Sequence, residues 1–474
     1  MKRKPTRLDP LSILVLWLSA VDAITLRQLM SGVICFGETG GGKSTTFGAQ
    51  ARSGLLRTNA GFIVFTSKMG DTEDWIQACR REGREKDVRV FGPGHPHRFD
   101  AFQYLWEAKG TRGSTLTDNV LAAWDGLLEA RNGGKSVQGS DPFWHLSVHD
   151  LASASITLLG TAGENISMGA IQRMISSAPE SPDQVRSPEW QKESYVNALI
   201  DRSTSRKNLT PSQTTDLAAA IEYWLNQFPR LDPKTRSGVV CTFSSMSNAF
   251  CRGLLAELFS AGGEQLTPED SFDGRIIIID MPVKEFLDVG LFASVLWKLV
   301  WMRAAERRDR NRFPKPVVLW IDEAHNLVTR YDALFQATAR SADIVSVYLT
   351  QNKDSLRERL GGTTGEAAIE ALLANLATKV FLSNAHAATN AWAATLCGET
   401  WATRSNVTAS LGGEGNTSSS TVEMKRHLIE PIEFMRLKKR GADGIAEGIV
   451  FRSGEPFRAS GMNHLKVAFQ AIDE

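Results

Sequence analysis

The hydrophobic positions of this chain fall into short, uninterrupted runs separated by longer segments with a helical pattern. In the N-terminal part the runs are Val33–Phe36, Phe62–Phe65 and Val88–Phe91, and Trp75–Cys79 between the last two has helical spacing. Continuous apolar runs that alternate with amphipathic helices are typical of a parallel β-sheet covered on both faces. The pattern therefore predicts an α/β fold.

This alternation stops between residues 111 and 262, where the pattern is helical. The predicted helices are Leu116–Glu129, Phe143–Leu159, Met168–Ser177, Tyr195–Arg202, Thr214–Phe228 and Ser244–Phe259. Roughly 150 residues without a strand are too many for one crossover connection. We therefore predict an all-α insertion over 111–262, a discontinuous nucleotide-binding domain over 31–110 and 263–474, and a separate N-terminal segment over 1–30.

Strands and helices alternate again after residue 263. The predicted strands are Arg275–Asp280, Val317–Asp322, Ile344–Thr350 and Thr378–Ser383. A helix is predicted over Leu287–Arg307. Near the end, Gly448–Phe451 and Pro456–Arg458 are predicted to form a hairpin, and the Gly/Ser/Thr-rich segment Leu411–Thr421 is predicted to be a mobile loop.

Composition and charge narrow the class of protein. The 474 residues are 42% hydrophobic and carry a net charge of +1, so the chain has no overall basic signature for nucleic acid. Its five cysteines include no C-x-x-C pair, which indicates a reducing compartment and argues against a disulfide framework or structural zinc. The apolar run Leu11–Ala20 is too short to span a bilayer. We expect it to form a core element.

The strongest chemical signal is the segment Gly37–Ser44, which fits the P-loop pattern G-x-x-x-x-G-K-[ST] between a predicted strand and a predicted helix. Backbone N–H groups and the helix N-terminus of such a loop attract phosphate. Lys43 is expected to reach the β- and γ-phosphates, and the Ser44 hydroxyl to ligate Mg²⁺. ATP and Mg²⁺ are thus the expected cofactors, and the nucleotide-binding residues are predicted to be Gly37, Thr39, Gly40, Gly41, Gly42, Lys43, Ser44 and Thr45.

Hydrolysis requires acidic groups, and Asp322 and Glu323 supply them at the end of a predicted strand. This is the Walker B arrangement, in which Asp322 is expected to hold Mg²⁺ and Glu323 to polarise the attacking water. Asp280 also ends an apolar strand and competes for this role, but Met281 and Pro282 follow it in place of a second carboxylate. We therefore favour Asp322 and Glu323.

Two further residues are candidates for catalysis. Gln351 follows the first strand after the Walker B segment, where a polar side chain can sense the γ-phosphate and the attacking water. A motor ATPase also needs a cation at the transition state, often from a neighbouring subunit. Arg340 is the first choice for that cation. The other candidates are Arg404, Arg202, Arg206 and Lys207.

The chain resembles the coupling-protein ATPases of conjugation and type IV secretion, within the FtsK- and HerA-like DNA translocases. The resemblance rests on the P-loop, the segment Asp322–His325, Gln351 and the helical insertion, and on their order along the chain. The resemblance extends over nearly the whole chain from about residue 25. Further stretches that resemble this family are Lys68–Asp71, Val88–Pro93, Asp141–Trp144, Ile279–Val283 and Arg426–Phe434.

The resemblance implies a RecA-like P-loop NTPase that forms a homo-hexameric ring and hydrolyses ATP between subunits. It implies translocation of single- or double-stranded DNA, or of a relaxase–DNA complex, toward a secretion channel. Only about 36 residues precede the P-loop, where coupling proteins usually carry transmembrane helices. We therefore expect a cytoplasmic protein that reaches the inner membrane through a secretion-channel or membrane-anchor subunit.

Two other functions remain open at this point. A HerA-like ATPase could serve DNA processing or phage defence with a nuclease partner. A nucleotide-binding adaptor could use ATP only to lock an assembly, although Glu323 argues against it.

Overall fold

The strands of the molecule match most of the predicted apolar runs. The computed structural model describes residues 10–107, 115–131, 142–409 and 417–472. In this part of the chain the strands are β1 Leu14–Trp17, β2 Ala23–Thr25, β3 Val33–Phe36, β4 Gly61–Phe65, β5 Val88–Phe91, β6 His97–Arg98, β7 Glu264–Gln265, β8 Ile276–Ile279, β9 Val317–Ile321, β10 Ile344–Thr350, β11 Thr378–Leu382, β12 Glu399–Ala409, β13 Thr417–His427, β14 Ile445–Arg452 and β15 His464–Gln470.

The helices fill the segments between these strands. They are α1 Leu26–Leu29, α2 Phe47–Leu56, α3 Asp71–Arg81, α4 Ala101–Glu107, α5 Thr115–Arg131, α6 Pro142–Ala162, α7 Met168–Ser176, α8 Pro182–Val185, α9 Pro188–Glu193, α10 Tyr195–Thr204, α11 Pro211–Glu222, α12 Phe228–Arg230, α13 Pro233–Cys251, α14 Gly253–Leu258, α15 Pro268–Phe272, α16 Val283–Glu306, α17 Arg330–Ala339, α18 Lys353–Leu360, α19 Gly362–Asn375, α20 Ala387–Cys397 and α21 Pro431–Arg436. A π-helical stretch, Tyr223–Gln227, joins α11 to α12.

A nine-stranded sheet forms the centre of the molecule, in the order β15-β14-β11-β3-β10-β9-β4-β8-β5. The strands from β11 to β5 are parallel, while β14 and β15 pair antiparallel at one edge. The predicted α/β class with a mostly parallel sheet is therefore confirmed. Because the parallel strands all point the same way, the residues that follow β3, β9, β10 and β11 meet at one edge.

Alternation along β3 shows how the sheet separates two apolar layers. Ile34 and Phe36 face one layer, which includes Trp297 of α16, and Val33 and Cys35 face the other, which includes Phe47 of α2. All four residues of β3 are buried. A strand that is covered on both faces can be apolar at every position, which explains the uninterrupted runs in the sequence.

The described elements between residues 115 and 258 are helices, in agreement with the predicted pattern. They are linked to the sheet domain by polar contacts as well as by packing. Arg307, the residue after α16, donates to Asn119 Oδ1 of α5 at 3.1 Å, and Arg330 of α17 lies 3.2 Å from Glu129 of α5. The boundaries of an insertion domain at 111 and 262 stay a prediction.

The predicted C-terminal hairpin is wrong in its second strand. β14 pairs with His464–Gln470 and not with Pro456–Arg458. Pro456 has no N–H to donate to a ladder, and the loop before β15 closes instead through Phe457 N, which donates to Met462 O at 2.7 Å. The strand that pairs with β14 therefore begins eight residues later in the chain than predicted.

The predicted mobile loop Leu411–Thr421 is also wrong in part. Residues 417–421 belong to β13, which pairs with β12 from Glu399↔His427 to Ala409↔Thr417. Threonine is enriched in strands, and β12 supplies the pairing partner for these residues. The remaining part of the prediction, 411–416, lies outside the described residues.

The N-terminal apolar run forms part of the core, as predicted. Val15, Leu16 and Leu18 are buried with the layer that contains α2. Asp22, at the turn between β1 and β2, accepts hydrogen bonds from the backbone N–H groups of Arg458 and Ala459 at 2.7 and 2.9 Å. Among the described helices, none combines the length and the hydropathy that crossing a bilayer requires.

Candidate nucleotide-binding site

The P-loop lies at the carboxyl edge of the sheet, between β3 and α2. Its backbone is fixed to the ends of the two neighbouring strands, since Gly37 N donates to Thr350 O at 3.2 Å and Glu38 N donates to Ser383 O at 3.1 Å. Gly40 and Gly42 have φ values of 76° and 92°. This left-handed backbone favours glycine and turns the loop around a central space.

Helix α2 begins at Phe47, three residues after the last residue of the P-loop motif. Thr46 precedes it with a non-helical backbone of φ −112° and ψ −90°. Its Oγ1 donates to Gly42 O at 2.7 Å, which ties this residue to the loop.

Lys43 lies inside the loop with only 6% of its side chain exposed. Its Nζ donates to Gly37 O at 2.8 Å and to Glu38 O at 3.3 Å, and lies 3.8 Å from Glu323 Oε1. Carbonyl oxygens are neutral acceptors that a phosphate oxygen can replace. The ammonium group is thus held where the loop would enclose phosphate.

Ser44 and Asp322 come from different parts of the chain and meet across the site. Ser44 Oγ donates to Asp322 Oδ2 at 2.7 Å, and Asp322 directly follows β9. Burial raises the pKa of Asp322, and the hydrogen bond from Ser44 opposes that shift. A hydroxyl and a carboxylate side by side fit Mg²⁺, which takes one or two protein oxygens and completes its octahedron with water and phosphate.

Asp280, the competing Walker B candidate, lies elsewhere along the edge. It follows β8, which is separated from β9 by β4. Its backbone N–H donates to Phe91 O at 2.8 Å, whereas Asp322 makes the contact with the P-loop serine. The structure therefore favours Asp322 for the Walker B position.

Glu323 has an unusual backbone for a residue with a side chain. Its φ and ψ are 46° and 51°, in the left-handed region. Its N–H donates to Asp322 Oδ1 at 2.8 Å, and its carboxylate Oε2 lies 3.4 Å from His325 Nδ1. Strained residues of this kind persist where the surroundings over-determine them, often at active sites.

His325 belongs to the segment Asp322–His325, and its type and position predict no role for it from the sequence. Burial lowers the pKa of His325, and the adjacent Glu323 carboxylate opposes this shift. Its Nδ1 is also 3.4 Å from Thr350 Oγ1 at the end of β10. The imidazole thus fills the space between the Walker B turn and the neighbouring strand.

Gln351 reaches the carboxylate of Glu323. Its Nε2 donates to Glu323 Oε2 at 3.2 Å. Its backbone carbonyl accepts from Asn384 Nδ2 at 2.7 Å, and Asn384 is itself held by Asn390, which donates to the Asn384 carbonyl at 2.7 Å. Sequence reasoning missed Asn384, although its position just after the strand β11 is the same kind of signal that identified Gln351.

A cavity of about 310 Å³ lies against the P-loop, Asp322 and Glu323. Besides Lys43 it is lined by three cations that sequence reasoning did not assign to the site, Lys68, Lys284 and Arg440. They come from the turn after β4, the start of α16 and the segment after α21. Groups of three or more side chains suited to bind a metal by themselves do not occur among the described residues.

Arg340 is not brought to this cavity within one chain. It is exposed and begins the short 3₁₀ turn that precedes β10, at the opposite edge of the sheet from the P-loop. The strand β10 has seven residues, so the two edges are about 23 Å apart at the usual rise of about 3.3 Å per residue. A role for Arg340 in a neighbouring subunit's site stays a prediction.

Comparison with known proteins gives one family match and several structural matches. Residues 316–439 match the family model TraG-D_C, described as the TraM recognition site of TraD and TraG. No curated protein matches the chain significantly.

The matching structures include three forms of one conjugative coupling protein. Unbound TrwBdeltaN70 is 14% identical, with 95% of this chain and 87% of that chain covered at a TM-score of 0.56. TrwB with the ATP analogue ADPNP is 14% identical, with 94% of this chain and 86% of that chain covered at a TM-score of 0.57. TrwB with ADP and Mg²⁺ is 14% identical, with 94% of this chain and 87% of that chain covered, also at a TM-score of 0.57. The predicted resemblance to the coupling-protein ATPases is thus confirmed at the level of the fold.

Proposed function

We propose that this chain, which has the fold of the conjugative coupling proteins and matches the TraD and TraG family model over residues 316–439, is an ATP-driven motor that moves DNA or a nucleoprotein. The observation that carries the proposal is the contact of Ser44 with Asp322 at 2.7 Å, beside Lys43 and Glu323 at 3.8 Å. It joins a phosphate loop to paired carboxylates, which is what nucleotide hydrolysis requires.

The nucleotide is expected to be ATP with Mg²⁺. TrwB has been solved with an ATP analogue and with ADP and Mg²⁺, and the residues of this chain fit the same ligands. Lys43 and the N–H groups of the loop would bind the phosphates, while Ser44 and Asp322 would hold the metal ion. When bound, Mg²⁺ supplies neutralisation of the phosphate charge.

Glu323 is proposed to accept a hydrogen bond from the attacking water, and thereby to orient and polarise it. Gln351 fixes the carboxylate through its 3.2 Å hydrogen bond and would respond to the terminal phosphate. The left-handed backbone of Glu323 directs its side chain towards Lys43 and Gln351. We therefore expect the positioning of the attacking water and the charges of the site to supply most of the rate acceleration.

We propose a homo-hexameric ring in which a cation such as Arg340 enters the neighbouring subunit's site. DNA, or a relaxase–DNA complex, is the proposed substrate, and a secretion-channel or membrane-anchor subunit is the proposed partner. The family model over 316–439, described as a TraM recognition site, supports a partner from the DNA-processing side of conjugation.

The test is the ATPase rate of the purified protein without DNA and with single- or double-stranded DNA. We expect DNA to stimulate hydrolysis, and Glu323→Gln to remove the stimulated rate while ATP still binds. Glu85→Gln is a matched control, because Glu85 is an exposed carboxylate that pairs with Arg80 on the surface. An oligomer whose rate no DNA changes would contradict the motor, and tight ATP binding without turnover would indicate an adaptor.

A further inference from the structure

A basic segment after α21, Leu437–Gly441, passes over the P-loop. Lys439 Nζ lies 2.7 Å from Glu38 Oε1 in the loop. A Cβ atom on Gly42 would lie 3.3 Å from the Cβ of Arg440, so the two backbones approach closely. The segment is thus part of the wall of the nucleotide cavity, although it is about 400 residues away in sequence from the loop.

The core holds this segment in place. Leu437 is buried, and the backbone of Lys438 pairs with Glu447 of β14. Glu447 N donates to Lys438 O at 2.8 Å, and Lys438 N donates to Glu447 Oε2 at 3.1 Å. The position of Arg440 is therefore fixed by the sheet rather than by the exposed residues around it.

The three consecutive cations of the segment have different surroundings. The Lys438 ammonium bonds to Asp443, away from the cavity, and Lys439 pairs with Glu38. Arg440 lines the cavity, is exposed, and makes no hydrogen bond or ion pair with another of the described residues. An arginine without a carboxylate partner, beside a phosphate loop, is available for bidentate contact with phosphate oxygens.

Glu38 explains why the neighbouring lysine matters. A carboxylate within an anion-binding loop repels phosphate, and Lys439 offsets that charge. The pair is too exposed to add much to folding stability, since both side chains reach solvent. Its consequence is local, because it removes a negative charge from the mouth of the site and draws the basic segment onto the loop.

We propose that Arg440 binds the terminal phosphates of the nucleotide from within the same chain, and that Lys439 positions it and neutralises Glu38. The identity of the ligand as a nucleoside triphosphate rests on the proposed function. Arg440 is a cation of the same subunit, distinct from the one expected from a neighbouring subunit.

The test measures the equilibrium affinity for a fluorescent ATP analogue and for the matching ADP analogue, with Mg²⁺, on the full chain. Arg440→Ala should weaken ATP binding about ten- to a hundred-fold, as expected for loss of a charge-assisted hydrogen bond, with a smaller effect on ADP. The ATP affinity of Arg440→Lys should lie between those of the unchanged protein and Arg440→Ala, because lysine keeps the charge but lacks the planar guanidinium fork. Lys438→Gln, two residues before Arg440, should leave both affinities unchanged, because the Lys438 ammonium bonds to Asp443 away from the cavity.

A double-mutant cycle separates the positioning role of Lys439 from a merely structural one. Lys439→Ala should weaken ATP binding about three- to ten-fold, as for an unscreened charge near the site. Adding Glu38→Gln should restore most of that affinity, because the repelling carboxylate is then absent. A general disturbance of the segment would not be rescued in this way.

Unchanged ATP affinity in Arg440→Ala, or a Lys439→Ala defect that Glu38→Gln fails to rescue, would overturn the inference. Circular dichroism of each variant ensures that a loss of affinity reflects the site and not unfolding. Failure of DNA to stimulate hydrolysis would count against the motor alone, since the binding measurements contain no DNA.

Discussion

Gln351 donates a hydrogen bond to Glu323, with Nε2 of the amide 3.2 Å from Oε2 of the carboxylate. The two residues follow neighbouring strands, β10 and β9, and their contact spans the edge that also carries the P-loop. A residue that holds the Glu323 carboxylate, which itself lies 3.8 Å from Lys43 of the P-loop, would control how that carboxylate orients an attacking water.

Gln351→Ala is therefore expected to lower kcat more than it changes ATP affinity. Loss of one neutral-to-charged hydrogen bond that orients the carboxylate should reduce kcat about ten- to a hundred-fold. Steady-state kinetics and equilibrium binding of an ATP analogue measure the two effects separately. Asn352→Ala, which removes the N-cap of α18 next to it, controls for local disturbance. Equal losses in kcat and affinity would argue that Gln351 contributes to binding instead.

Ser44→Ala is expected to weaken the binding of Mg²⁺ rather than the fold. The hydroxyl donates to Asp322 at 2.7 Å, and its removal takes away one of the two protein oxygens that fit the metal ion. The Mg²⁺ concentration that gives half-maximal hydrolysis should rise about ten-fold or more. Ser53→Ala on α2, outside the site, is the control. A Ser44→Ala protein with unchanged Mg²⁺ dependence would contradict the proposed metal position.

Replacing Glu323 should show that the site stores backbone strain. Glu323→Gly and Glu323→Ala both remove the carboxylate, but only glycine accepts a φ of 46° without strain. The free energy of unfolding of the glycine variant should exceed that of the alanine variant by about 1 kcal/mol. Urea denaturation of the two proteins gives this difference directly, and both should fail to hydrolyse ATP. An alanine variant at least as stable as the glycine variant would exclude the strain.

The buried lysine Lys379 on β11 should make the folding stability of the protein depend on pH. It is 4% exposed, and burial lowers the pKa of its ammonium group from 10.5 to about 8. Between these two values the unfolded chain binds a proton that the folded chain does not, so stability rises as pH increases from about 8 towards 10.5. Below pH 8, keeping this buried ammonium group charged lowers the free energy of unfolding by about 3 kcal/mol. The hydrogen bond from Lys379 Nζ to Leu376 O offsets part of that loss.

Lys379→Met should therefore raise the free energy of unfolding by about 1–2 kcal/mol at pH 7, and the gain should fall at pH 9.5. Chemical denaturation at the two pH values measures both quantities. The matched control is Lys466→Met on β15, since Lys466 is exposed and pairs with Glu447. A destabilised Lys379→Met protein, or a gain independent of pH, would show that burial does not penalise this lysine.

The sequence alone located most of the candidate catalytic groups, because they follow the ends of apolar strands. Asp322 and Gln351 were each predicted from such a run, and both lie at the carboxyl edge of the sheet beside the P-loop. The second strand of the C-terminal hairpin was not predicted correctly, because the distance along the chain to a pairing partner depends on loop contacts such as that of Phe457 with Met462.

The sequence by itself determined the local chemistry of this protein: a glycine loop with lysine and serine, and carboxylates after buried strands, both recognisable from neighbouring residues. The tertiary structure decided which distant groups share the site. The length of β10 keeps Arg340 at the far edge, and strand order places Asp280 beyond β4. The packing of the chain brings Asn384 to Gln351 and Arg440 to the P-loop cavity. The reason is physical, since strand order and chain crossings depend on packing between residues far apart in sequence, which no local pattern contains.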